Sequence, residues 1–111
     1  MPIYVESGPN DQVNVAGKGA TWEWRISTFT ETPPGDKYAL VMQEMTHSFG
    51  GLICGSREPG QQLEPDALTL VNGTSTAFLD AYLKKNAAAK AFLTQDNVTE
   101  ASDGMAEFRH R

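Results

Sequence analysis

Apolar residues along this chain gather in short runs separated by dense turn formers, and the sharpest run is Tyr38-Ala39-Leu40-Val41-Met42. It follows the breaker Pro33-Pro34-Gly35-Asp36-Lys37, and a short continuous apolar run bounded by such residues is what a buried strand looks like. Ile3-Tyr4-Val5 is a second β-rich run, stopped by Glu6-Ser7-Gly8-Pro9-Asn10-Asp11. Between them, Val13 to Gly19 reads as an irregular connection, and the next stretch, from Ala20 to Thr30, fits two templates. Trp22, Trp24 and Ile26 alternate as in a strand, whereas Trp22, Ile26 and Phe29 share one helical face. A strand there makes a hairpin with Tyr38 to Met42, and a helix makes the crossover between two parallel strands. The helix is preferred, because the span from Val5 to Tyr38 then has the length of a βαβ unit.

After Leu52-Ile53-Cys54 and a polar loop, the period changes at Pro65. Ala67, Val71, Thr74, Phe78 and Tyr82 recur at helical spacing, with Pro65 suited to the first turn. Gly73 inside this helix costs about 1 kcal/mol relative to Ala unless it packs closely. Lys84-Lys85-Asn86 interrupts the pattern, and Asn86 can cap a second helix from Ala87 to Leu93. Residues 95–111 read as a polar tail. The pattern predicts one α/β domain over 1–111, with parallel strands near 2–6 and 37–43, a crossover helix near 20–30 and a C-terminal helix hairpin. Two strands leave exposed edges and little core, so such a unit is expected to pair with a copy of itself or with strands supplied by another segment. A strand so near the first residue adds to the expectation that the chain is a segment of something longer.

Composition narrows the choice of partners. A net charge of −5 over 111 residues supplies no basic stripe for nucleic acid or an anionic membrane. No apolar run has the length of a membrane span, and the start, MPIYVESGPN, has no signal-peptide pattern, so a cytoplasmic location is expected. With one cysteine, Cys54, no internal disulfide and no thiolate zinc cluster can form, and no cofactor or metal is expected.

The candidate chemistry lies beyond the strand ends. His47 follows the apolar run across Gln43, Glu44, Met45 and Thr46, and is followed by Phe49-Gly50-Gly51. An imidazole just past the carboxyl end of a buried strand stands where open α/β sheets carry their chemistry. Asp11 occupies the corresponding place after the first strand, although an Asx-type turn is the plainer reading of an aspartate there. Ser48, Ser56 and Cys54 are the nucleophiles near His47, none in a recognisable activating motif. His110 reads as an inert chain-end residue.

The order Gly8-Pro9-Asn10-Asp11, crossover, Pro33-Pro34-Gly35-Asp36-Lys37-Tyr38, and His47 before Phe49-Gly50-Gly51 resembles the C-terminal part of α/β-hydrolase-fold enzymes of the dienelactone-hydrolase and esterase-like kind. Thr76-Ala77-Phe78-Leu79-Asp80-Ala81-Tyr82-Leu83-Lys84 and Ala88-Ala89-Lys90-Ala91-Phe92-Leu93 resemble the closing helix pair of that family. The resemblance implies Asp11 as the triad acid, His47 as the general base, a small ester as substrate, and a complementary N-terminal half as partner. The chain departs from the family in carrying no Gly-x-Ser-x-Gly elbow, so the implied unit is inactive alone. A non-catalytic assembly or binding module is the alternative.

Overall fold

The structure, a computed structural model, describes residues 1–11, 21–53, 60, 62–94 and 97–111. Its centre is strand β2 (Lys37–Met42), all six residues of which are buried. Such a strand is covered on both faces, which is why its sequence is a continuous apolar run instead of an alternation. Strand β1 (Ile3–Ser7) lies parallel beside it, with Ile3 opposite Lys37 and Ser7 opposite Val41.

The connection between these strands contains two short helices, α1 (Trp22–Arg25) and α2 (Ser27–Glu31), so the expected crossover helix is present, bent at Ile26. The helical template wins here because Ile26 and Phe29 are buried while Trp24 is 58% exposed, which an alternating strand would not allow. Both helices pack against β1, and α2 also reaches β2. Ala39 and Val41 point to this side, whereas Tyr38, Leu40 and Met42 point to the other.

The second face is covered by α3 (Pro65–Leu83) and α4 (Ala87–Thr94), the expected hairpin. Val71, Ala67 and Ala81 join Leu40, Met42 and Leu93 in one apolar cluster, and Phe78 sets its ring edge-on to Tyr38 at 5.9 Å. The Asn86 side-chain oxygen accepts from Ala89 N at 3.0 Å and so caps α4. No described helix is long and apolar enough to cross a membrane.

The expected polar tail and two-stranded sheet require correction. Beyond residues 95–96, which lie outside the described residues, the chain forms α5 (Asn97–Ala101) and a third strand, β3 (Ala106–His110). The sheet has the order β1-β2-β3, with β3 antiparallel to β2. Ala106 and Phe108 face inward and Glu107 outward, and Phe108 stacks on Tyr38 at 5.9 Å with 13° between the rings. With Phe108 on that tyrosine and Ala106 opposite Met42, two isolated apolar residues gain enough burial to hold a strand.

The outer edge of β3 is closed by α5 and the turn after it. Phe108 N donates to Thr99 Oγ1, Ala106 N donates to Ser102 Oγ, and Ser102 Oγ donates to Ala106 O, each at 3.2 Å. At β1, Ile3 N donates to Asp36 O at 3.0 Å, so Ile3, Val5 and Ser7 face β2 and the backbone groups of Tyr4 and Glu6 turn outward. Among the described residues no strand lies on that edge.

Candidate functional site

The site begins at Gly8, immediately after β1. A Cβ on this residue would stand 1.7 Å from Met42 O, so only glycine lets the chain pass so close to the end of β2. Asp11 N then donates to Gly8 O at 2.9 Å, a tight turn that carries the Asp11 side chain back over the strand end. Its Oδ2 accepts from Ser7 Oγ at 2.8 Å, and Asp11 is only 4% exposed. From the last turn of α1, Arg25 brings Nε to 3.7 Å from the same oxygen. A carboxylate this buried is tolerable because it is hydrogen-bonded and faces a guanidinium.

The other oxygen, Oδ1, lies 2.9 Å from His47 Nδ1. An ionised carboxylate can only accept, so a neutral imidazole in this contact carries its proton on Nδ1 and keeps its lone pair on Nε2. The loop after β2 buries Met45 and Phe49 on either side of His47, whose own side chain is 55% exposed. The two residues that the sequence singles out, Asp11 and His47, are therefore in contact across the carboxyl ends of adjacent parallel strands. Asp11 closes a backbone turn with Gly8, and its side chain is engaged by Ser7 and His47.

Ser7 and Arg25 belong to the same cluster, and the sequence pattern does not single them out. Ser7 carries a faint signal, a hydroxyl next to the close-approach glycine. Arg25 carries none, because only the packing of α1 on β1 brings it to Asp11. Glu6, on the opposite face of β1 from Ser7, borders the same open depression of about 300 Å³ together with Val5, Met45 and Phe49. Burial pushes the Glu6 carboxyl above its ordinary range, a shift opposed by the hydrogen bond that Tyr4 Oη donates at 3.1 Å and reinforced by the Asp11 charge. Tyr4 is held in its neutral phenol form chiefly by burial, and its hydroxyl lies 2.9 Å from Thr74 Oγ1.

Of the nucleophiles that the sequence offers near His47, Ser48 lies among the described residues, and the fold adds the Ser7 hydroxyl, which is engaged by the carboxylate. Ser7 donates to Asp11, and Ser48 turns its carbonyl to Gly51 N and Ile53 N. Cys54 and Ser56 lie outside the described residues. Among the described residues, no group of three His, Cys, Asp or Glu side chains could hold a metal ion. His110 ends β3, paired with Tyr38 in the sheet register and far along the strand from Met42, where the loop to His47 begins.

These features define a mixed α/β unit with a carboxylate-imidazole pair at the carboxyl end of its two parallel strands. Compared with protein-family models, curated proteins and solved structures, the chain finds no match.

Proposed function

We propose that this chain is the acid-and-base part of a serine-hydrolase-like α/β-hydrolase acting on small carboxylic esters, with His47 as general base and Asp11 as the carboxylate that orients it. The observation that carries the reading is the 2.9 Å contact between His47 Nδ1 and Asp11 Oδ1. In acyl transfer the imidazole takes the proton of an attacking hydroxyl on Nε2 and returns it to the leaving group, while the buried carboxylate stabilises the imidazolium formed between the two steps. Ser7 and Arg25 hold the carboxylate against rotation from its far side.

The nucleophile and the oxyanion donors come from a further segment, joined at the outward edge of β1 beside which the depression opens. The same open edge favours the second reading, a non-catalytic assembly module in which the pair is structural.

Acylation of the histidines by a carbethoxylating reagent, followed by mass spectrometry, tests the base. His47 is expected to react several-fold faster than His110, and Asp11→Asn to remove the difference by releasing the ring from its single tautomer. The chain alone is expected to hydrolyse a short-chain chromogenic ester no faster than His47→Ala. Equal reaction of the two histidines in the unaltered chain would refute the base role and favour the assembly module.

A further inference from the structure

We propose that Glu64 is the positioning residue of His47, a role that rests on the acid-and-base reading above. Glu64 stands directly before α3, where a side chain ordinarily caps the helix, yet it makes no capping bond. Its carboxylate is turned instead toward the loop that carries the histidine. Oε1 accepts from Thr46 N at 2.8 Å and Oε2 accepts from Thr46 Oγ1 at 2.5 Å. Thr46 Oγ1 in turn accepts from Gly50 N at 2.9 Å, and the backbone N of Glu64 donates to Phe49 O at 3.1 Å. One residue thus ties down both ends of the turn from Thr46 to Gly50, and His47 lies inside it.

That turn needs holding. Phe49 has φ 53°, Gly50 φ 70° and Gly51 φ 94°. A phenylalanine in the left-handed region is conformationally costly and persists only where its surroundings fix it. A Cβ at Gly50 would lie 1.9 Å from Gln62 O, so the loop is also pressed against the segment leading to Glu64. The start of α3 favours a negative charge nearby even without a capping bond, which keeps the carboxylate in place between helix and loop. Freed from Glu64, the turn keeps its internal Phe49 N–Thr46 O and Gly50 N–Thr46 Oγ1 bonds but loses its tie to the start of α3, and with that tie the hold on the His47–Asp11 distance.

Two readouts separate this proposal from the reading it rests on. The proton shared by His47 Nδ1 and Asp11 gives a downfield proton resonance, removed in Asp11→Asn, whose solvent exchange reports the pair. Amide hydrogen exchange at Thr46 and Gly50 reports the turn itself. In Glu64→Ala both are expected to exchange at least about tenfold faster, the equilibrium equivalent of one charge-assisted hydrogen bond. Glu64→Gln retains an acceptor for Thr46 N alone and is expected to fall between. Thr46→Ser keeps the hydroxyl hub and behaves as the unaltered chain, whereas Thr46→Val behaves as Glu64→Ala. Should Glu64→Ala fail to fold, the comparison of Glu64→Gln with Thr46→Ser decides. Unchanged exchange at Thr46, Gly50 and His47 in a folded Glu64 variant overturns the proposal. If the unaltered chain lacks the downfield resonance while the Thr46 and Gly50 amides still respond to Glu64, the turn-holding role stands, and the base role falls along with His47 as its beneficiary.

Discussion

Replacing Gly8 with alanine tests whether the Asp11–His47 geometry is set by the close approach of the β1 end to the β2 end. The new Cβ would begin 1.7 Å from Met42 O, and real Cβ atoms essentially never come within 3.0 Å, so the backbone must retreat by about 1.3 Å, the difference between the two. Strand β2 cannot yield, since it is fully buried between two neighbours, and the movement falls on the turn after β1. Asp11 travels with that turn through its 2.9 Å bond to Gly8 O. The Asp11–His47 contact at 2.9 Å tolerates only a few tenths of an ångström before it passes the roughly 3.2 Å limit of a sound hydrogen bond. Gly8→Ala is therefore expected to lose the downfield His47 resonance. It should also cost about 2 to 4 kcal/mol in urea unfolding, from backbone overpacking and a carboxylate left imperfectly paired. A variant that loses less than about 0.5 kcal/mol, the range of an ordinary surface substitution, and keeps the resonance would refute the argument.

Three further substitutions probe the scaffold. Gly73→Ala, inside α3 with no heavy atom within 4 Å of the added Cβ, should stabilise the chain by about 0.5 to 1 kcal/mol, and a lowered thermal midpoint would show that the glycine serves packing after all. Glu6→Gln tests the half-buried edge carboxyl: a raised acid makes its stability contribution in full below its ordinary pKa and loses it as pH rises through the raised one. The glutamine variant should accordingly gain on the unaltered chain as pH rises from the ordinary glutamate pKa through the raised one, and a constant difference across that rise would rule the shift out. Lys90→Met removes the ammonium that bonds Asp36 at 2.5 Å and lies 4.3 Å from the Tyr82 ring centroid. Its hydrogen bond is the first cause holding the Asp36 carboxyl below its usual range, so the contribution exists above the unfolded carboxylate pKa and fades as pH falls through the folded one. With both side chains well exposed, a loss of about 0.5 to 1 kcal/mol at neutral pH is expected, shrinking in acid, and a pH-independent loss would contradict it.

How much of this was legible in the sequence follows from where each interaction is encoded. Strand β2 and helix α3 are written locally, the one as an apolar run after Pro33-Pro34-Gly35 and the other as a helical period opening at Pro65, so both are recoverable without the fold. The segment from Ala20 to Thr30 carries two periods at once, and the choice is made by burial of Phe29 with Trp24 left outside. Strand β3 escapes a reading of local pattern because its inward positions are only Ala106 and Phe108, which lie opposite Met42 and stack on Tyr38 respectively, both far away in sequence. Asp11 and His47 are visible as polar residues just past strand ends. Ser7, Arg25 and Glu64 are not, since each acts through a partner that only the folded chain brings to it.

The two edges of the sheet bear on where a completing segment would join. At β3 the outward backbone groups of Ala106 and Phe108 are taken by Ser102 and Thr99, and the exposed face carries the Glu107–Arg109 pair, bonded at 2.8 Å. That edge is closed in the manner of proteins that avoid edge-to-edge association. Strand β1 has no proline, lysine or bulge within it, its first four residues are half-buried, and the outward groups of Tyr4 and Glu6 find no strand among the described residues. The His47 depression opens beside this second edge, with Val5 and Glu6 in its wall. A segment pairing there would satisfy Tyr4 and Glu6, cover the apolar flank of β1, and run along the strand whose carboxyl end leads to Asp11. One covering event would then pair the open edge and bring new chemistry to His47, the arrangement that the proposed hydrolase role requires.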